Sequence, residues 1–392
     1  MKKHILLYFS IIFALFSTPS FTQSKQYRIF VDAGSTGSRL HIFQYNHAMA
    51  LPKIHDVFSE STTPGLSSYA ADPKAAGASL KKLLDDAVFF LDKHAAIPAQ
   101  TPVDIMATAG MRLLSEEKQQ SIYAAVRQYM QTHYDFPING IETISGEQEG
   151  LYGWLDVNYL LGNFQDNKPT IGSLDMGGAS TQIVFEVADG KNSTSIPITL
   201  NQHRYAVFSK SFLNLGQDQA LHRMATHSTA DACFPQNYAY QGAKIGHFNF
   251  LACASIYQNI IKKHQLSEQI PSVEGRSFIA FSGIYYAFNF LAADASPDQG
   301  FLENQIQMIC AKDWAQLKKD YPKAPDKYLS NYCAHAIYQD QLIYGTYKIQ
   351  GHQLTVANKI KKTGLDWTLG AALFELVQQD ASDFKIKRQV QA

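Results

Sequence analysis

Two stretches of this 392-residue chain set the same residue types in the same order. Residues 31–45, VDAGSTGSRLHIFQY, and 174–187, LDMGGASTQIVFEV, each end an apolar run on an Asp, turn through tiny residues and a Ser/Thr corner, and resume alternating apolar positions. Glycines in such turns allow close backbone approach, so successive N–H groups and hydroxyls can converge on an anion. That is the chemistry of a phosphate grip. Its candidate residues are Gly34, Ser35, Thr36, Gly37 and Ser38 in the first phrase and Gly177, Gly178 and Ala179 in the second. Asp32 and Asp175 repel phosphate, but they can hold a divalent cation beside it, through waters in the case of Mg²⁺. Asp-Gly or Gly-Gly alone often makes no more than a hairpin turn. Two such turns, each flanked by alternating strands, favour a clamp on a polyphosphate between two lobes. A Walker loop is absent, because the single Gly-Lys pair, Gly190-Lys191, has Phe185 in place of the first glycine and Asn192 in place of Ser or Thr.

The surrounding pattern predicts the elements that position these turns. Residues 27–45 read as two strands joined at 34–37, residues 74–93 and 115–133 as helices, 103–110 as a strand ending on glycine, and 146–162 as a helix. After the second phrase the periodicity predicts helices near 207–226 and 250–265, a buried strand at 277–283, and helices at 284–292, 327–344 and 366–379. Alternating strands and helices imply an α/β protein. The length exceeds what one hydrophobic core organises, and the internal echo makes two related lobes the expectation.

Charge and cysteine content narrow the partners and the compartment. With 34 basic and 34 acidic residues the chain has no electrostatic footprint for nucleic acid or an anionic membrane. Lys2 and Lys3 precede an apolar run of about 12 residues from Ile5 to Phe16, short of the roughly 20 a spanning helix needs, so residues 1–24 are expected to be a cleaved export signal. The mature protein is then exported, periplasmic or secreted, without a stable membrane anchor. Four cysteines in an exported chain suggest disulfides and allow three connectivities. Pairing of sequence neighbours, Cys233 with Cys253 and Cys310 with Cys333, is the expected arrangement. No CxxC or HExxH spacing occurs, which disfavours metal ligation by Cys or His.

Five blocks, DAGSTGSR (32–39), ATAGMRLL (107–114), ISGEQEGLYGWLDVNYLLG (144–162), LDMGGASTQI (174–183) and DWTLG (366–370), together resemble the ecto-apyrases, the nucleoside triphosphate diphosphohydrolase family. Weaker similarity at 209–221, 280–286 and 327–333 extends the likeness over almost all of the mature chain. The resemblance implies two RNase H-like lobes of the actin, sugar kinase and heat-shock ATPase superfamily with the nucleotide in the interlobe cleft. Lobe I would comprise 25–155 plus 372–392, and lobe II 156–371. The implied activity is hydrolysis of nucleoside tri- and diphosphates to the monophosphate with Mg²⁺ or Ca²⁺.

Residue roles follow block by block. Arg39 and Arg112, with the hydroxyls of Ser35, Ser38 and Thr108, would bind phosphate oxygens. Glu149 would take the proton of the attacking water, with Glu147 its local rival, and Ser180 and Gln182 would orient that water. Trp367 would shape the site near the metal. Tyr338, Tyr332, Tyr286 and Tyr285 are the candidates for stacking on a nucleobase. An exopolyphosphatase shares the grips without needing a base pocket, and an actin- or chaperone-like module would use nucleotide only to gate its conformation.

Overall fold

The computed structural model describes residues 25–46, 51–166, 168–188, 195–242, 244–291 and 295–378. The expected leader at 1–24 and the end of the chain from 379 lie outside the described residues.

Two sheets repeat one topology. In the first, β1 (Gln26–Ala33), β2 (Ser38–Asn46) and β3 (Lys53–Thr62) run antiparallel, and β4 (Val103–Ala107) and β5 (Ile138–Thr143) add parallel to β1, giving the order β3-β2-β1-β4-β5. Short turns suffice for the antiparallel strands, whereas the parallel additions require the helical crossovers that fill 74–93 and 116–133. The second sheet contains β6 (Gly172–Met176), β7 (Ser180–Glu186), β8 (Ile196–Leu200) and β9 (His203–Leu213). After a separate small hairpin of β10 (Ala239–Tyr240) and β11 (Lys244–Ile245) come β12 (Phe278–Ala280) and β13 (Leu354–Val356), in the order β13-β12-β6-β7-β9-β8. With β8 set aside as an edge addition, this is the first sheet's RNase H-like order again: three antiparallel strands, then two parallel ones beside the first.

The stretch predicted as helix from 207 is strand as far as Leu213, and the helix occupies only Gln217–Ala225. Both faces of β9 are covered by apolar packing: Ala206, Phe208 and Phe212 belong to the core of lobe II, and Tyr205 and Val207 to the core between the lobes. A strand buried on both sides loses its polar alternation and reads like a buried helix. Elsewhere the expected helices are present, including Phe250–Lys262, Gly283–Phe290 and Asp326–Asp340. Both disulfides pair sequence neighbours, Cys233 with Cys253 and Cys310 with Cys333.

A helix spanning Gly146–Leu161 joins the lobes. Ser145 caps it in a reciprocal arrangement with Gln148, and Gly162, at φ 83°, ends it in the left-handed conformation that favours glycine. Its sequence is apolar nearly all round because it lies between the two sheets. Leu151, Trp154 and Leu155 meet Phe30 and Phe43 of the first sheet and Val184 and Val207 of the second. The lobe boundary expected at 155 falls inside this helix. A closing helix over 368–378 crosses it at Gly370, where a Cβ would stand 1.8 Å from the Tyr152 carbonyl oxygen, so no other residue allows the crossing. Glu375, 3.8 Å from Arg28, ties this helix to β1.

Candidate active site

The first hairpin turns at the C-terminal end of β1. Asp32 stands opposite Arg39 and Ala33 opposite Ser38, leaving Gly34–Gly37 as the loop. In the second sheet Asp175 stands opposite Gln182 and Met176 opposite Thr181, with Gly177–Ala179 between the strands. The two phrases therefore share a register as well as a composition. Their tips meet across the cleft, since a Cβ on Gly178 would lie 2.9 Å from the Ser35 Oγ and 3.2 Å from the Thr36 Cγ2.

Lobe II orients its own tip. The carbonyls of Gly177, Gly178 and Ala179 accept hydrogen bonds from the N–H groups of Gln217 (2.9 Å), Asp218 (2.9 Å) and Asn214 (2.8 Å). A trans peptide points its N–H opposite its C=O. The tip's amides are thereby turned away from lobe II, the orientation an anion grip requires.

Behind the tips lies the group that could do chemistry. Glu149, in the first turn of the interlobe helix, is 7% exposed. Burial, reinforced by Asp175 and Asp32 and opposed by Arg112, pushes its carboxyl up to about 8. Arg112 Nη2 donates to Glu149 Oε2 at 2.5 Å and to Ser180 Oγ at 3.2 Å. Gln182 Nε2 donates to Ser180 Oγ at 2.9 Å and to Ser211 Oγ at 3.2 Å, while Gln182 Oε1 is buried without a partner. Thus Glu149, Arg112, Ser180 and Gln182, predicted from three separate blocks, form one connected cluster. Thr108 is buried between β4 and the short helix carrying Arg112, Ser38 is buried on β2, and Arg39 is exposed at the mouth.

Asp32 is pushed up to about 7 by burial and by Asp366, and Asp175 up to about 6 by burial, with a hydrogen bond from Ser282 opposing. Among the described residues no three His, Cys, Asp or Glu side chains converge to ligate a metal directly.

The amino-acid sequence matches the GDA1/CD39 (nucleoside phosphatase) family over residues 19–391. The chain belongs to that family. It is 30% identical to the probable apyrase 3 of Arabidopsis thaliana over 92% of this chain and 84% of that protein. It is 29% identical to ectonucleoside triphosphate diphosphohydrolase 8 of Gallus gallus over 89% of this chain and 82% of that one. Among solved structures, a nucleoside triphosphate hydrolase from Neospora caninum superposes with a TM-score of 0.69 at 15% identity, covering 91% of this chain and 93% of that one. A Ppx/GppA protein from Aquifex aeolicus superposes at 0.58 with 14% identity, covering 91% and 99%, a likeness of fold alone.

Within this GDA1/CD39 fold the tyrosines separate. Tyr338 is a correction: it is fully buried, its hydroxyl donates to the Leu215 carbonyl at 2.5 Å and its ring packs 5.2 Å from that of Tyr257, so no base reaches it. Its helix turns this face into the lobe II core. Tyr332 is half-buried, stacked on Phe290 at 4.8 Å. Tyr286 is 54% exposed, with Tyr285 edge-on to it, on the helix that begins beside Ser282. Trp367 is buried against Tyr152 in the interlobe core.

Sequence reasoning missed the charges beneath Asp32. His41 of β2 sits between Asp56 of β3, 2.9 Å from Nδ1, and Asp366, 3.1 Å from Nε2. Burial alone would lower the imidazole's pKa, but Asp366 and Asp56 outweigh it and push it up to about 10. Asp366 is partly buried, yet His41 and a hydrogen bond from Thr368 hold its carboxyl well below the usual range. Asp156 accepts the Asp366 N–H at 3.1 Å, and burial raises its own pKa. The DWTLG block pointed at Trp367, whereas its Asp is the residue wired into the site.

Proposed function

We propose that this chain is an exported apyrase that hydrolyses nucleoside tri- and diphosphates to the monophosphate and phosphate, with Glu149 as general base. The observation that carries the reading is a buried, electrostatically strained carboxylate placed behind two phosphate-grip hairpins of matching register. Terminal phosphate oxygens are held by the tip amides, by Ser35, Ser38 and Thr108, and by Arg39 and Arg112. A nucleophilic water needs acceptors for both of its protons while a lone pair faces phosphorus. In this reading Glu149 accepts one and Gln182 Oε1 the other, which is supported by that oxygen's being buried without a partner. Ser180 Oγ already accepts from Arg112 and Gln182, so its own proton is directed elsewhere and fixes the cluster's orientation. As the P–O bond to water forms, the water's proton passes to Glu149, the bond from phosphorus to the bridging oxygen breaks, and that oxygen leaves with the nucleotide.

A divalent cation fits the donor set. Asp32 Oδ1 is buried without a partner, and Asp32 and Asp175 are both pushed toward protonation by surroundings that a dication would relieve. Mg²⁺ or Ca²⁺ there, held by Asp32 and Asp175 through waters, would supply charge neutralisation for the polyphosphate. Export is supported by the two disulfides, and Tyr286 with Tyr332 is the proposed base platform.

Phosphate release measured in parallel with ATP, ADP and inorganic tripolyphosphate tests the assignment. ATP and ADP should both be consumed to AMP, and excess chelator should abolish turnover. Preference for tripolyphosphate over both nucleotides, or full turnover in chelator, would overturn it.

A further inference from the structure

Arg112 and Glu149 come from different elements, the short helix Ala109–Arg112 after β4 and the first turn of the interlobe helix. Their contact buries both side chains, to 15% and 9% exposure. The same guanidinium reaches Ser180, and its Nε is buried without a partner. One cation therefore touches the base and one of the groups placed around the water, while keeping a donor unused.

Such a pairing has two opposed effects. It favours the ionised form of Glu149, opposing burial and the repulsion of Asp32 and Asp175, the charged groups that face it besides Arg112. It also occupies one of the two carboxylate oxygens, Oε2, with a donor, leaving fewer lone pairs to take a proton. A phosphate presents to a guanidinium the same forked acceptor geometry as a carboxylate, with more charge. We propose that Arg112 is a substrate-released cap on Glu149: the terminal phosphate of the nucleotide draws the guanidinium off the carboxylate, freeing the base once phosphorus is in position. This rests on the reading of Glu149 as base and Arg112 as phosphate ligand. Transfer of the guanidinium satisfies its unused Nε and keeps the Arg112 charge paired, while Glu149 gives up the one cation beside it and becomes the stronger base once phosphorus is in position.

The cap makes nucleotide and Glu149 competitors for one cation, and that competition is measurable apart from turnover. Binding of the non-hydrolysable β,γ-imido analogue of ATP, at fixed Mg²⁺, is followed by calorimetry for the full chain, Glu149→Gln, Arg112→Gln and the double variant. Glu149→Gln should bind about three- to tenfold more tightly than the parent, Arg112→Gln about tenfold or more weakly, and the double variant should match Arg112→Gln within about twofold. Removing a negative charge from the cleft could strengthen binding by itself. In that case the gain from Glu149→Gln would persist in the Arg112→Gln background, and the cap would be overturned. No gain in the single variant would overturn it as well. Should Arg112→Gln fail to fold, Arg112→Lys, which keeps the charge and loses the fork, enters the cycle and should show a smaller but non-zero coupling. Turnover of Glu149→Gln is read alongside: substantial activity there refutes the base assignment, while the binding cycle still reports on the pair.

Discussion

The two hairpins share topology, register and the Asp at the end of the first strand, and differ in what stands opposite that Asp. In lobe I it is Arg39, exposed at the mouth of the cleft; in lobe II it is Gln182, buried beside Ser180 and close to Glu149. In the proposed mechanism the duplicated frame supplies two anion grips, and one cross-strand position per grip decides its further use. A guanidinium there adds charge for binding, whereas an amide with a free oxygen serves a water. The Asp environments diverge in the same sense. Asp32 sits over the His41–Asp366–Asp56 array, in which His41 is buried and both carboxylates are partly exposed, while Asp175 is moderated by hydrogen bonds from the Ser282 hydroxyl and the Met176 backbone.

If the lobe II hairpin serves the attacking water, the base on the interlobe helix beside it should dominate every other substitution. Glu149→Gln is expected to lower kcat by about 10²- to 10⁴-fold, the scale of general-base loss. Glu147→Gln, two residues away, should be nearly silent, since its contact with the sheet is through the backbone carbonyl, which accepts from Ser209 Oγ. Steady-state kinetics on ATP distinguish the two, and a dead Glu147 variant would reassign the base.

The pH profile sharpens the same point. A base whose pKa is raised is protonated over a wider range, so kcat/KM should fall as pH drops, by about tenfold per unit once below its midpoint. That midpoint should lie above 4.5, the ordinary Glu value, and at or below about 8, with a bound cation drawing it down from there. A profile flat down to pH 5 would show that Glu149 is not the titrating base.

Truncating the two cross-strand partners tests their division of labour directly. Arg39→Leu should raise KM about tenfold with kcat little changed, and Gln182→Leu should lower kcat about tenfold with KM little changed. If both variants changed the same parameter, the hairpins would be equivalent grips. The smallest effect is expected far from either tip: Tyr286→Ala should raise KM for ATP and GTP a few-fold each and leave tripolyphosphate hydrolysis unaffected. An equal loss on all three substrates would make Tyr286 structural.

What could be read before folding was local. The turns at 34–37 and 177–179, the helix carrying Glu149 and the pairing of neighbouring cysteines depend on residues a few positions or one loop apart. Misreadings arose where neighbours in space decided the outcome. The strand from 207 to 213 was obscured because two different cores cover its two faces, and Tyr338 reads in sequence like any tyrosine on an amphipathic helix until Leu215 and Tyr257 close over it.

By itself, then, the sequence determined the duplicated hairpin frame, the two-lobe α/β plan and the residue types available for chemistry, because glycine placement and strand alternation act over single turns. Tertiary structure decided which charges face one another. His41 and Asp366 lie near opposite ends of the chain, and Arg112 and Glu149 on separate elements, so their contacts exist only once the interlobe helix and the closing helix pack against β1 and β2. Electrostatic effects in a buried cleft depend on distances of a few ångströms and on exclusion of water, and neither is written in the order of residues.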